Sequence, residues 1–185
     1  MKLAPRALPE LLAGRRIASV TGTNGKTTTT HFLTAAVRAG TPDSQRSVVT
    51  NADGANLYHG IVSALGQAPN ATIAVLETDE RVVADVVAMG SPEVLVLLNF
   101  SRDQLDRNHE LTFLGRDWRA ALEKAAEHGP TVVANACDPL IVWVCQKARH
   151  VIWVDTKPRW TADATLCPNC CLLYTSDAAD DLLCV

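Results

Sequence analysis

Short runs of β-branched and aliphatic residues alternate along this chain with longer segments of helical spacing. Ile17–Thr21 predicts a strand, and Lys26–Ala39 predicts a helix closed by Gly40 and Pro42. A short strand over Ser47–Thr50 and a helix over Ala55–Leu65 follow, the helix ending at Gly66. Thr72–Glu77 predicts a strand, Arg81–Met89 a helix stopped by Gly90, and Glu93–Asn99 a buried strand. Leu111–His128 is a long helix before Gly129-Pro130. Thr131–Asn135, Pro139–Ala148 and His150–Asp155 complete the series as strand, helix and strand. This β-α-β-α order predicts an α/β fold with a mostly parallel sheet and helices on both faces. Runs such as VLVLL and IAVL are apolar on both sides, as a doubly covered sheet requires.

Ligands of such sheets bind at the carboxyl ends of the strands. The polar residues with most chemistry fall there, after Thr21 and at Glu77, Asn99 and Asn135. Residues 20 to 28 read VTGTNGKTT, between a strand and a helix. Gly22 and Gly25 free the backbone to fold around a phosphate, and the amides at the helix start point at the anion. Gly22, Thr23, Asn24, Gly25, Lys26, Thr27 and Thr28 are therefore the candidate nucleotide-binding loop, with Lys26 on the β- and γ-phosphates and the Thr27 hydroxyl on Mg²⁺. The full P-loop pattern would need glycine at position 20, which is Val20, so this is a shortened form.

Glu77 ends a buried strand, where a carboxylate can bind Mg²⁺ directly or through water; Lys26 and Glu77 are the candidate catalytic pair. Asp79 and Glu80 suit either that role or the positive end of the next helix. Asn99 and Asp103, in NFSRDQLDR, and Asn135 and Asp138, in NACDP, are further candidate nucleotide contacts. Arg102 and Arg107 either touch phosphate or pair with Asp103 and Asp106, and Asp138-Pro139 is also a good helix start.

Bulk composition narrows the class. The chain has 185 residues, 48% hydrophobic and 20% charged, with a net charge of -3, enough for one domain of ordinary globular kind. No basic run points to nucleic acid, and no apolar stretch has the length of a membrane span. The N-terminus lacks the continuous apolar segment of a signal peptide, so a cytoplasmic location is the expectation. Of six cysteines, Cys137 and Cys145 sit in apolar surroundings as buried thiols, while Cys167-Pro168-Asn169-Cys170 has the spacing of half a zinc knuckle, a redox pair being the other reading.

Taken in order, GTNGKT (Gly22–Thr27), Glu77, NFSRDQLD (Asn99–Asp106) and NACDP (Asn135–Pro139) resemble the central domain of the Mur ligase family. The resemblance covers about residues 16 to 170. Gln104 stands where the amino-acid-adding members carry a histidine, and no lysine lies between Gln104 and Glu123, where those enzymes tend to carry a modified one. These departures, together with NADGAN (Asn51–Asn56), ETDE, RDQLDR and CPNC, resemble the MurT-type ligase subunits of lipid II isoglutaminyl synthases.

That resemblance implies ATP and Mg²⁺ as cofactors and a zinc ribbon whose first two ligands are Cys167 and Cys170. It also implies lipid II as substrate and a GatD-like glutaminase as partner, the reaction being amidation of the D-glutamate α-carboxylate. An amino-acid-adding or folylpolyglutamate-type ligase, or a nucleotide-binding fragment without turnover, is the alternative. The expected organisation is an N-terminal segment 1–15, an ATP-binding domain 16–160, half a ribbon over 161–170, and a tail 171–185. That tail, CLLYTSDAADDLLCV, resembles a translated sequencing adapter, and the second cysteine pair and the family's C-terminal domain do not appear. The fragment alone is expected to be inactive.

Overall fold

In the computed structural model the chain is described at residues 6–41, 47–51, 54–100, 108–155 and 157. Helix α1 (Ala7–Leu12) leads into β1 (Arg16–Thr21), α2 (Lys26–Ala39), β2 (Val48–Thr50), α3 (Tyr58–Gln67) and β3 (Ile73–Glu77). Then come α4 (Val83–Gly90), β4 (Val94–Leu97), α5 (Asn108–Ala125) with a 3₁₀ turn at Ala126–His128, β5 (Thr131–Asn135), α6 (Pro139–Cys145) and β6 (His150–Val154). The strands form one six-stranded sheet in the order β2-β3-β1-β4-β5-β6. Every pairing among them is parallel.

The order explains how the helices are distributed. The connection from β1 to β2 steps outward in one direction along the sheet, and every later connection steps the other way. Because such crossovers are right-handed, α2 covers one face and α3 to α6 the other. Packing agrees: α2 lies on β1, β2 and β3, α3 on β2 and β3, α4 on β1, and α6 on β5. Two apolar clusters fill the many-helix face. One joins Leu95, Leu97, Val132 and Ala134 to Trp118, Leu122, Ile141 and Val144. The other joins Ile17, Val49, Ala74 and Leu76 to Ile61, Leu65 and Val86. Cys145 lies buried in the first, and burial pushes its thiol up to about 12.

The α2 face is less complete. β1 and β3 are buried almost throughout, as their unbroken apolar runs require. β4 and β5 alternate between buried and half-buried positions, and Ile152, Trp153 and Val154 of the edge strand β6 are exposed.

Helix α1 has no counterpart in the sequence reading, which left residues 1–15 without an element. It is only six residues long and contains Pro9, yet Leu8 and Leu12 are buried among α3 and α4 residues. Pro9 is tolerated because it stands in the first turn, where its missing N–H has no helical partner to lose. Helix α3 begins at Tyr58 rather than Ala55, because the preceding Asn56 is engaged elsewhere: its carbonyl accepts from Asp79 N at 2.9 Å and its side chain reaches Glu77.

Candidate functional site

The phosphate loop leaves β1 at Thr21 and enters α2 at Lys26, at the point where the sheet's connections reverse direction. Gly22 has φ +138° and Gly25, the N-cap of α2, has φ +84°. These are conformations that glycine adopts at no steric cost. The space around Gly22 is also closed: a Cβ there would lie 2.8 Å from Leu98 Cβ and 2.9 Å from Asn99 N. Gly22→Ala is therefore expected to displace the loop, with a stability loss of about 1–3 kcal/mol and loss of nucleotide binding. A variant with an unchanged thermal midpoint and unchanged Mg-ATP affinity would contradict this.

Asn99, just past β4, clamps the loop from the neighbouring strand. Its Oδ1 accepts from Asn24 N at 2.9 Å, its Nδ2 donates to Asn24 O at 3.0 Å, and its carbonyl accepts from Thr23 N at 2.8 Å. Asn99, a candidate nucleotide contact from the sequence, here bonds the loop backbone that would cradle a phosphate. Lys26 folds back over the loop, its Nζ donating to Gly22 O at 2.5 Å and Thr23 O at 3.2 Å. It also pairs with Glu80 Oε1 at 3.5 Å, both side chains being largely buried. Thr27 and Thr28 are exposed in the first turn of α2.

Glu77 ends β3 on the strand beside β1, paired in register with Val20. It is only 1% exposed. Its Oε1 accepts from Asn56 Nδ2 at 3.0 Å, while Oε2 is buried without a partner among the described residues. Its backbone is fixed by Asn51, whose side chain bonds both Glu77 N at 2.9 Å and Glu77 O at 2.8 Å. A buried carboxylate oxygen left unpaired is costly and calls for a cation or donor. Mg²⁺ takes oxygen ligands, one or two from the protein and the rest from phosphates and water. The Glu77 carboxylate and the Thr27 hydroxyl are donors of that kind, so the residues suit the ion. Among the described residues no group of three or more His, Cys, Asp or Glu gathers as a metal cluster.

Next along the chain, Asp79 is half-buried. Burial pushes its carboxyl up, but hydrogen bonds and charge from Arg81, at 2.8 Å, more than offset this and hold it below the ordinary value. Its neighbour Glu80 is the residue that reaches Lys26.

Asn135 and Asp138 brace the adjoining strand ends. Asn135 Nδ2 donates to Leu98 O at 2.9 Å, and its Oδ1 accepts from Cys137 N at 2.9 Å. Asp138 caps α6 through Leu140 N and Ile141 N and also accepts from Phe100 N at 2.6 Å. The helix-start reading of Asp138-Pro139 is thus what the structure displays. Asn51 and Asn56 are the residues whose roles the sequence did not disclose. They stood in NADGAN with no assigned task, and their partner Glu77 lies 26 and 21 positions away. Asp103, Arg102, Arg107, Cys167 and Cys170 lie outside the described residues.

The chain matches the Mur ligase middle domain over residues 20–161. It belongs to the Mur ligase middle-domain family. Two curated relatives are subunits MurT of lipid II isoglutaminyl synthase (glutamine-hydrolyzing). The one from Staphylococcus aureus (strain COL) is 29% identical over 170 residues, covering 87% of this chain and 37% of the relative. The one from Streptococcus pneumoniae (strain ATCC BAA-255 / R6) is 35% identical over 137 residues, covering 72% and 29%. The chain thus spans about a third of the length of these relatives. Among solved structures, a UDP-N-acetylmuramoyl-L-alanyl-D-glutamate--2,6-diaminopimelate ligase superposes with a TM-score of 0.56 at 21% identity, covering 83% of this chain and 34% of that one. That likeness is one of fold. No described helix of this Mur ligase domain is long and apolar enough to cross a membrane.

Proposed function

We propose that this Mur ligase domain is the nucleotide-binding part of an ATP-dependent carbon–nitrogen ligase that amidates the D-glutamate α-carboxylate of lipid II. Ammonia would come from a GatD-like glutaminase partner, on the cytoplasmic side of the membrane. The observation that carries the ATP chemistry is the unpaired, buried Oε2 of Glu77 on the strand beside the phosphate loop. The likeness to MurT subunits supports the acceptor and the nitrogen source.

In this reading the acceptor carboxylate attacks the γ-phosphorus of ATP, ADP leaves, and an acyl phosphate forms. Ammonia then attacks the acyl carbon and inorganic phosphate departs. The protein's contribution is positioning and charge neutralisation. Lys26 would exchange the loop carbonyls and Glu80 for the β- and γ-phosphates. The amides after Gly25 would face phosphate oxygens. Glu77 and Thr27 would hold Mg²⁺, which neutralises charge on the transferring group when bound. Asn99, Asn51 and Asn56 would keep those groups in place. Residues 16–160 would form this nucleotide-binding unit, and residues 161–170 would carry the first half of a zinc ribbon with Cys167 and Cys170 as ligands.

The test is an assay of the full-length parent protein with its glutaminase, lipid II and Mg-ATP, offering glutamine or ammonia in one arm and free amino acids in the other. Amidated lipid II and ADP in the first arm alone are expected. Extension of the peptide by an amino acid would overturn the amidation reading in favour of an amino-acid-adding ligase.

A further inference from the structure

Of the buried side-chain nitrogen and oxygen atoms that lack a partner among the described residues, six stand out. Thr21 Oγ1 and Glu77 Oε2 belong to the strand ends at the nucleotide site. Three of the remaining four, Thr34 Oγ1, Arg38 Nε and Thr50 Oγ1, belong to residues that line one groove beside α2 and the edge strand β2. Its volume is about 740 Å³. Native proteins leave few buried polar groups unpaired, and each one calls for an explanation.

What the groove offers is uniform in kind. Arg38 presents a guanidinium N–H, and its orientation is set by Nη2 donating to Val48 O at 3.4 Å. Thr34, only 3% exposed, stands one helical turn before Arg38 on α2. Other threonines of that helix region satisfy their hydroxyls on the preceding turn, Thr30 on Lys26 O at 2.8 Å and Thr41 on Val37 O at 2.6 Å. Thr34 does not. Thr50 adds a second hydroxyl from β2 and His31 a ring that can donate. Among the described residues no aspartate or glutamate lines the space. One wall carries the ring of Phe32, 74% exposed.

We propose that this groove is a second binding site, taking a small oxyanion, a carboxylate or a phosphate group, borne on a partly apolar molecule. The oxyanion accepts from Arg38 Nε and from the Thr34 and Thr50 hydroxyls, and the apolar body lies against Phe32. An arginine fork with flanking hydroxyls is the donor geometry such groups favour. The groove adjoins the phosphate loop at Thr28, but its anion donors lie further along α2 and on β2, and the proposal does not rest on the nucleotide reading.

The test is a heteronuclear NMR titration of the isotope-labelled chain with inorganic phosphate in one arm and glutarate in the other. Saturable shifts at Thr34, Thr50 and the Arg38 Nε–H in at least one arm are expected, and the arm that responds identifies phosphate or carboxylate as the preferred group. Arg38→Gln should weaken that binding by about tenfold or more, since a hydrogen bond to a charged group is lost. Thr34→Val, which keeps the side-chain shape, should weaken it severalfold with the spectrum otherwise intact. Shifts confined to Gly25, Lys26 and Thr27 would overturn the proposal while leaving the phosphate loop standing. An unchanged affinity in a folded Thr34→Val protein would also overturn it.

Discussion

Lys26→Ala is expected to lower the affinity for Mg-ATP by about a hundredfold or more, the scale of losing charge-assisted contacts to two phosphates. The lysine sits on the first turn of α2, where the helix dipole and free amides already favour an anion. Its ammonium is held by Gly22 O, Thr23 O and Glu80. That arrangement stores the charge beside the site without losing its hydrogen bonds. Alanine removes the only cationic side chain of the segment Gly22–Thr28. It also leaves the Glu80 carboxylate, largely buried, without this partner, which would repel an incoming phosphate. Lys26→Arg should recover only part of the loss, because a planar fork does not reproduce a compact ammonium between loop carbonyls. The check is a calorimetric titration, and equal affinities for the native chain and Lys26→Ala would refute the phosphate-loop assignment.

Trp118→Ala is expected to cost about 3–5 kcal/mol, the range for removing a large buried aromatic. Trp118 on α5 is 1% exposed and packs on Phe100 with ring centroids 4.4 Å apart. Its Nε1 donates to Glu80 O at 2.8 Å. One side chain therefore ties α5 to the end of β4 and to the segment that carries Lys26's partner. Against a total stability of about 5–15 kcal/mol for an ordinary domain, that loss leaves a substantial unfolded fraction. Trp118→Phe keeps most of the packing but strands the Glu80 carbonyl, so a smaller loss of about 1–3 kcal/mol is expected. Urea denaturation followed by circular dichroism separates the two, and an unshifted midpoint for Trp118→Ala would contradict the packing described.

Much of this architecture was legible along the chain because its signals are local. The β-branched runs at Ile17–Thr21, Thr72–Glu77 and Thr131–Asn135 became β1, β3 and β5 within a residue. GTNGKT was legible because a glycine-bounded turn between strand and helix has a geometry of its own. Asp138-Pro139 announced a helix cap and supplies one. Helix α1 was not legible, since six residues interrupted by Pro9 give no periodic pattern and are held by packing of Leu8, Leu11 and Leu12. Nor was the exposed character of β6, because its run HVIWV is as apolar as that of a central strand. The asparagines around Glu77 escaped for another reason. Asn51 and Asn56 act through side-chain hydrogen bonds to the end of the neighbouring strand β3, and no spacing rule anticipates those.

The most direct measurement of the central claim is ATP affinity with Mg²⁺ and with Mg²⁺ chelated, in the native chain and in Glu77→Gln. The Glu77 Oε2 is the buried acceptor that a metal-bound nucleotide would satisfy. The account predicts that chelation weakens binding to the native chain by about tenfold or more, the worth of a charged contact, and that Glu77→Gln binds weakly and almost indifferently to Mg²⁺. Native affinity that is the same with and without Mg²⁺, or a Glu77→Gln protein that keeps the full Mg²⁺ dependence, would contradict it.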